Sequence, residues 1–444
     1  MKFFTILIVT APLLAGLMIL IIYCLICDLS AAGVRYYHEI KKLPYLDHQL
    51  NFKHYAGYLN VSKTRKLSYW LLESQNNKDK DPLLLWVNGG PGSSSFFGLL
   101  MEHGPFRFDE GSDASIKLTK NEYAWNTFAN VLYLETPAGV GFSVNDNLDG
   151  YELNDNTTAV DNLAFLKSFI KEYPEYRGRD FYLTGESYAG CFLPTLASDI
   201  VDHKEGLEVN FKGVILANPV TKFYWMYKFS DLVFVGHGAD SVERLIQFNK
   251  DCKGGLENYC GLEEKVFTAN DTIKNKERFA EQYNSSVQGR INLYDLYRRS
   301  VGNVALTRYL NMPIVQKALH FDQKVWRDMN YRIYGRYKMC VDMEPYVRKL
   351  LNKGIKFLYF YGESDIVCDH ITGDLFTRKI GKNPRSTVWY VDQTFAGTKT
   401  VYDGNLIYTT IAGCGHMSPM WKPKQVKRAV FSFINDIKDW SQDQ

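Results

Sequence analysis

The sequence is short of the features that mark several large functional classes. It has no block of lysine and arginine, and 52 basic against 49 acidic residues leave a formal net charge of only +3. Proteins that bind nucleic acid carry a basic patch that neutralises phosphates, so no nucleic-acid partner is expected. Internal repeats and low-complexity tracts are missing, which excludes solenoid and fibrous architectures. Of the 8 cysteines, none fall at zinc-site spacing. No metal and no cofactor is expected.

What is present begins with a targeting segment. Lys2 precedes an apolar run over residues 3–27, and Ser30-Ala31-Ala32 supplies small residues for cleavage before Gly33, so residues 1–32 read as a signal peptide. The run is also long enough to span a bilayer, which leaves an uncleaved signal anchor as the alternative. Either form enters the secretory pathway, ending in the lysosome or outside the cell. Glycosylation sequons at Asn60, Asn156, Asn270 and Asn284 agree, and read as surface turns. The mature chain keeps Cys191, Cys252, Cys260, Cys340, Cys368 and Cys414. In an oxidising compartment, Cys252 and Cys260, close together in a Gly/Asn-rich stretch, form the expected disulfide, and the other four are expected to stay free. Aromatics make up 15% of the chain, which reads as a well-packed core, with an apolar groove as the other reading.

At 444 residues the chain exceeds one simple core and implies a large domain with an insertion, or two domains. Residues 55–73 read as a hairpin turning over 60–66, and Pro82-Leu-Leu-Leu-Trp-Val87 as a strand buried on both faces. Further strands are expected at 130–135, 181–186, 213–217, 355–361, 387–391 and 405–411, with helices at 158–173, 190–201 and 423–440. This alternation predicts an α/β fold with a mostly parallel mixed sheet flanked by helices. Residues 33–218 and 336–444 form the core of that reading. Residues 219–335, aromatic-rich and helical in pattern, read as an inserted lid.

Chemistry concentrates at strand ends. Phe181-Tyr-Leu-Thr-Gly-Glu-Ser-Tyr-Ala-Gly190 runs from strand into helix through a nucleophile-elbow pattern, with Ser187 the candidate nucleophile; Ala189 stands where G-x-S-x-G has glycine. A serine nucleophile needs an imidazole base and an orienting carboxylate. Asp365 follows the strand ending at 361 and His416 the strand ending at 411. The order Ser187, Asp365, His416 is that of α/β-hydrolases. Glu363 is the alternative acid. His103, His237, His320 and His370 are rival bases, but none follows a late strand in a glycine-rich loop.

The chain resembles the serine carboxypeptidase family, that of carboxypeptidase Y and cathepsin A. The matching segments, in order, are Trp86-Val-Asn-Gly-Gly-Pro-Gly-Ser-Ser-Ser95, Glu102-His-Gly-Pro-Phe106, Glu135-Thr-Pro-Ala-Gly-Val-Gly-Phe-Ser143, Gly185-Glu-Ser-Tyr-Ala-Gly190, Tyr361-Gly-Glu-Ser-Asp-Ile-Val-Cys368 and Gly413-Cys-Gly-His-Met417. The family's own elbow carries alanine before the last glycine. The resemblance implies an α/β-hydrolase fold and an oxyanion hole from the N–H groups of Gly90 and Tyr188. It also implies a site for the substrate's terminal carboxylate at Asn88, Gly89 and Glu186, supported by Glu102 and Trp86. Two close acids share a proton, and the neutral one can donate to a carboxylate, which implies exopeptidase action favoured in acid. Implied partners are peptide or protein substrates with a free C-terminus, and a homodimer is allowed. Acyl transfer and a protective role in a lysosomal complex are the other activities the family allows; retention of Glu186 speaks against the first.

Four departures stand out. The family usually has cysteine at Ser93, bridged to one expected within 326–334, and both are missing here. Cys191 stands for histidine, Cys414 for alanine and Asp369 for asparagine. Cys368 and Cys414 are expected near the binding pockets.

Overall fold

The computed structural model describes residues 36–108, 116–225, 229–239, 241–243, 246, 292–298, 303–340 and 342–441. The apolar N-terminal run, Asn270, Asn284 and the Cys252/Cys260 pair lie outside the described residues. Among those residues, no helix is long and apolar enough to cross a membrane.

Ten strands build the main sheet: β1 His54–Asn60, β2 Arg65–Leu72, β3 Leu83–Val87, β4 Asn130–Leu134, β5 Asp180–Glu186, β6 Asn210–Ala217, β7 Lys356–Gly362, β8 Lys382–Val391, β9 Thr394–Asp403 and β10 Leu406–Ile411. Their spatial order is β1-β2-β4-β3-β5-β6-β7-β10-β9-β8, with the short Val144–Asn145 segment on β2. The six central strands, from β4 to β10 in that order, run parallel. The two edges are antiparallel. This is an α/β-hydrolase arrangement, as the strand–helix alternation predicts.

The central strands read as unbroken apolar runs because both faces are covered. Successive side chains point to opposite faces. Leu83, Leu85 and Val87 of β3 join one buried cluster, while Leu84 and Trp86 join the other. The helices α1 Asp155–Glu172, α2 Ala189–Asp202, α3 Glu344–Asn352 and α4 His370–Ile380 pack on the first face, and α5 Pro423–Ile434 packs on the second. Residues of the segment read as inserted also enter the second cluster, among them Leu306, Tyr309, Phe321 and Trp326.

Several boundaries differ from the sequence reading. Helix α1 begins at Asp155, capped by a reciprocal pair: Asn154 accepts from Thr157 N, and Thr157 Oγ1 from Asn154 N. Strand β9 was not expected. The last helix stops at Ile434, where Asp436 turns back at φ 55. Cys191 and Cys340, expected free, form a disulfide that ties α2 to the chain entering α3. Cys368 and Cys414 are free and buried. Asn60 and Asn156 are both exposed.

At Ser93, where the family bridge is missing, Ser93 pairs with Met329 as an isolated β-bridge and its hydroxyl lies 3.4 Å from the Met329 sulfur. Ser94 N donates to Asp328 O at 2.8 Å and Asn330 N to Gly92 O at 2.9 Å. The same two segments are therefore joined by backbone hydrogen bonds.

Candidate active site

Parallel strands bring their carboxyl ends to one sheet edge, and loops placed there can converge. Asn88 follows β3, Ser187 follows β5, Asn218 follows β6, Asp365 lies in the loop after β7, and His416 in the loop after β10. Ladder register sets this convergence, with Val87 opposite Gly185 and Glu186 opposite Ala217.

Ser187 has φ 64, a left-handed conformation that non-glycine residues adopt only when surroundings enforce it. Ser187 N donates to Ala217 O, and its carbonyl accepts from Gly190 N and Val220 N, all at 3.0 Å. A Cβ on Gly190 would lie 2.2 Å from Val220 O, and one on Gly185 would lie 2.6 Å from the Ala189 methyl. Glycine is thus demanded at 185 and 190, while alanine fits at 189.

His416 Nδ1 lies 2.6 Å from Asp365 Oδ2, both buried. Asp365 Oδ2 also accepts from Asn218 Nδ2 at 2.8 Å, and Oδ1 accepts from Val367 N at 2.9 Å and Cys368 N at 3.2 Å. Glu363 is turned away, accepting from Gly413 N at 2.8 Å. Among the described residues no hydrogen bond joins Ser187 Oγ to His416; such bonds commonly tighten only when substrate is bound. The rival histidines sit elsewhere. His103 is stacked on Trp125 and bonded to Tyr133, and its burial holds it neutral, well below the ordinary imidazole range. His237 and His320 face backbone carbonyls, and burial lowers His370 to about 4.

The loop after β3 presses against the elbow. A Cβ on Gly89 would lie 2.3 Å from Tyr188 N and 2.8 Å from Ser187 Cβ, so only glycine allows the approach. Gly90 follows at φ 108. The Tyr188 ring points into the core, its hydroxyl donating to Asp155 Oδ2 at 3.2 Å and accepting from Cys340 N at 2.7 Å.

Beside the elbow lies an acidic cluster. Trp86 Nε1 at 2.7 Å and Gly98 N at 3.3 Å both donate to Asn88 Oδ1. Two donors on the oxygen turn the Asn88 amide nitrogen toward Glu186 Oε1, 3.4 Å away. Glu102, on the wide turn Gly98–His103, is fully buried nearby. Both Glu102 oxygens and Glu186 Oε2 are buried without an aligned hydrogen-bond partner. Burial raises the Glu186 carboxyl well above the ordinary range, and the Glu102 charge adds to it; burial likewise raises Glu102. The pair holds protons that exposed carboxyls would have lost.

Asn218 was not anticipated. At φ 42 it receives Gly362 N at 3.1 Å and Ser418 Oγ at 2.9 Å while donating to Asp365, so one amide joins three loops. Its only trace in sequence is a polar residue directly after a buried strand. Glu135, from a motif quoted above, is structural: its buried carboxylate accepts from Ser94, Ser68, Phe142 N and Trp326 Nε1. Asp369 caps α4 through Thr372. Cys414 packs in the second core cluster.

Donor atoms of Asp365, Cys368 and His416 lie within 4.8 Å of one another. A metal would compete with the Asp365–His416 bond, and burial pushes the Cys368 thiol well up, disfavouring the thiolate a metal needs. Asp365 and His416 are therefore read as the candidate acid and base, with Cys368 a buried free thiol beside them. A cavity of about 950 Å³ between β8–β9 and the C-terminal residues holds none of the candidate site residues.

The chain is similar to known serine carboxypeptidases. Serine carboxypeptidase ctsa-4.1 of Caenorhabditis elegans is 33% identical over 452 residues, covering 91% of this chain and 94% of that one. The lysosomal protective protein of Mus musculus is 29% identical, covering 89% and 93%. The solved structure of Kex1Δp, a prohormone-processing carboxypeptidase from Saccharomyces cerevisiae, superposes with a TM-score of 0.76 at 22% identity, over 90% of this chain and 96% of that one, which shows the shared fold. The serine carboxypeptidase family profile matches residues 44–436, and the chain belongs to that family.

Proposed function

We propose that this serine carboxypeptidase removes C-terminal residues from peptides and proteins through an acyl-enzyme, fastest in acid. The observation that carries the reading is the buried Asn88, Glu102 and Glu186 cluster directly before Ser187. In acid at least one carboxyl of the pair is neutral and can donate to a substrate carboxylate, beside the Asn88 amide and Gly89 N–H. When the pair ionises, the same site repels that anion. Retention of Glu186 in this cluster argues against acyl transfer to an alcohol.

Held by its carboxylate, the last peptide bond lies over Ser187. Ser187 Oγ attacks the carbonyl carbon, and its proton passes to His416, whose other ring nitrogen is fixed by Asp365. Oxyanion charge falls on the N–H groups of Gly90 and Tyr188. His416 then protonates the leaving amine, and water reverses the sequence to free the acyl group.

Carried with this proposal are entry into the secretory pathway through residues 1–32, an end in the lysosome or outside the cell, glycans on the exposed Asn60 and Asn156, and the homodimer that the resemblance allows. Residues 219–335 are taken as the inserted unit and the remainder of the mature chain as the core. The test is release of the C-terminal amino acid from an N-blocked dipeptide near pH 5, with Ser187→Ala as control. Release lost in the variant is the expected result; equal release by both proteins would overturn the assignment of Ser187.

A further inference from the structure

The segment Asn292–Arg298 runs between the loop bearing Asp365 and the loop bearing His416. Its backbone binds both. Ile366 N donates to Leu293 O at 3.0 Å and Leu296 N to Ser364 O at 3.2 Å, while His416 N donates to Tyr294 O at 2.7 Å. The Tyr294 ring meets the His416 ring edge-on at 5.1 Å. At the centre is Asp295, fully buried, with its two oxygens divided between the loops. Oδ1 accepts from Ser364 Oγ at 3.1 Å and from Tyr297 N at 2.9 Å. Oδ2 accepts from Gly415 N at 3.0 Å and from Arg298 Nη1 at 2.5 Å. Ser364 precedes the candidate acid by one residue, and Gly415 precedes the candidate base by one. Arg298, balancing the buried charge, reaches Gly413 O with both terminal nitrogens at 3.2 Å.

The two loops also meet directly, Ser364 N donating to Cys414 O at 3.0 Å and Gly413 N to Glu363 Oε1 at 2.8 Å, and Asp295 adds a bridge at the residues next to the candidate acid and base. Gly413 has φ 72, and Gly415 is pressed so closely on the segment that a Cβ would lie 2.0 Å from Tyr294 O. Glycine permits that approach but supplies no side chain to hold the loop. We propose that Asp295 is a positioning residue for the Asp365–His416 couple, setting the separation of the two loops through Ser364 Oγ and Gly415 N. It touches neither substrate nor the reacting atoms. On this account the segment read as inserted into the fold supplies part of the frame on which the base is held. The inference rests on the proposed roles of Ser187 and His416.

The test uses Asp295→Asn and Ser364→Ala, singly and together. Three quantities are read: kcat and KM on an N-blocked dipeptide, and the rate at which an organophosphofluoridate inactivates the protein. That reagent requires Ser187 and its base but no carboxylate recognition. Asp295→Asn should lower kcat and the inactivation rate in parallel, by about tenfold or more, with KM within about twofold, since Asn88 and Glu186 are untouched. Ser364→Ala should lose less, and the double variant should lose less than the product of the two, because both remove one contact. Folded Asp295→Asn protein with both rates within about twofold of the parent would overturn the proposal. If that variant does not fold, Arg298→Gln, at the partly exposed end of the network, should lower the same two rates with unchanged KM; parental rates there would equally overturn it. Ser187→Ala separates the two levels of the argument. If it retains turnover, the reading of the site fails; if it is inactive while Asp295→Asn is normal, only the positioning role fails.

Discussion

Replacing Asn218 isolates how firmly the acid must be held. Asn218 donates one hydrogen bond to the Asp365 carboxylate at 2.8 Å and accepts from Gly362 N and Ser418 Oγ. A hydrogen bond to a charged group contributes about 1.5–3 kcal/mol. At ~1.4 kcal/mol per tenfold in rate, its loss is worth about ten- to a hundredfold if fully expressed in the transition state. Asp365 keeps Val367 N, Cys368 N and His416, so the lower end applies: kcat should fall about tenfold, with KM little changed. For stability, Ser418 Oγ retains Gly415 O, and the stranded group is Gly362 N–H, costing about 1–3 kcal/mol. Backbone strain is separable. Asn218 has φ 42, which glycine adopts freely, while alanine adds about 1–2 kcal/mol. Asn218→Gly and Asn218→Ala should therefore show the same kcat loss, with Ala the less stable in urea. Parental kcat in folded Asn218→Gly protein would refute the argument.

Three further outcomes follow from buried groups. Burial raises Asp155 and Asp369 to about 7 and raises Glu102 and Glu186 as well. Unfolded carboxyls titrate near ~4, so between that pH and about 7 these four groups hold more protons in the folded chain and their contribution to stability falls as pH rises, whereas His38, His54, His103 and His370, lowered by burial, act in the opposite sense up to the unfolded imidazole value near ~6.5. Above about pH 6.5 the carboxyl contribution prevails, so the urea midpoint should fall between about pH 6.5 and 7.5, and Glu102→Gln with Glu186→Gln should flatten that fall; a midpoint rising over this range would contradict it. Glu135→Ala strands Phe142 N–H and Trp326 Nε1–H, which cannot rotate to new acceptors, and should cost about 3 kcal/mol or more by urea denaturation, whereas a cost under about 1 kcal/mol would contradict the assignment. Cys191→Ser should lower stability by about 2–5 kcal/mol, and a non-reducing peptide map should join the peptides of Cys191 and Cys340.

The central strands were legible because burial on both faces leaves no polar residue in β3, β4 or β7 to blur them, apart from their ends and tyrosine hydroxyls. Asp365 was legible because it follows β7 within three residues, and His416 because it lies in the glycine-rich loop after β10. Strand β9 was not. Its Thr, Lys and Gly residues mix exposure and burial, and its hairpin turns through Asp392 and Gln393, at φ 48 and 61, without the glycine that flags a turn of this kind. The start of α1 was hidden because apolar spacing begins a turn after the Asn154 cap. Asn218, Asp295 and the Cys191–Cys340 bridge act across loops far apart in the chain, and a lone Asn or Asp gives no local sign of its partner. Cys191 and Cys340 are 149 residues apart.

The central claim is that the buried Glu102–Glu186 pair recognises a free C-terminus through a shared proton. Its most direct test is kcat/KM for a blocked dipeptide acid and for the matching C-terminal amide, measured from pH 4.5 to 8. The account predicts strong preference for the acid at low pH, with KM for the acid rising as the pair ionises and KM for the amide nearly flat. Equal kcat/KM for acid and amide at every pH would contradict it.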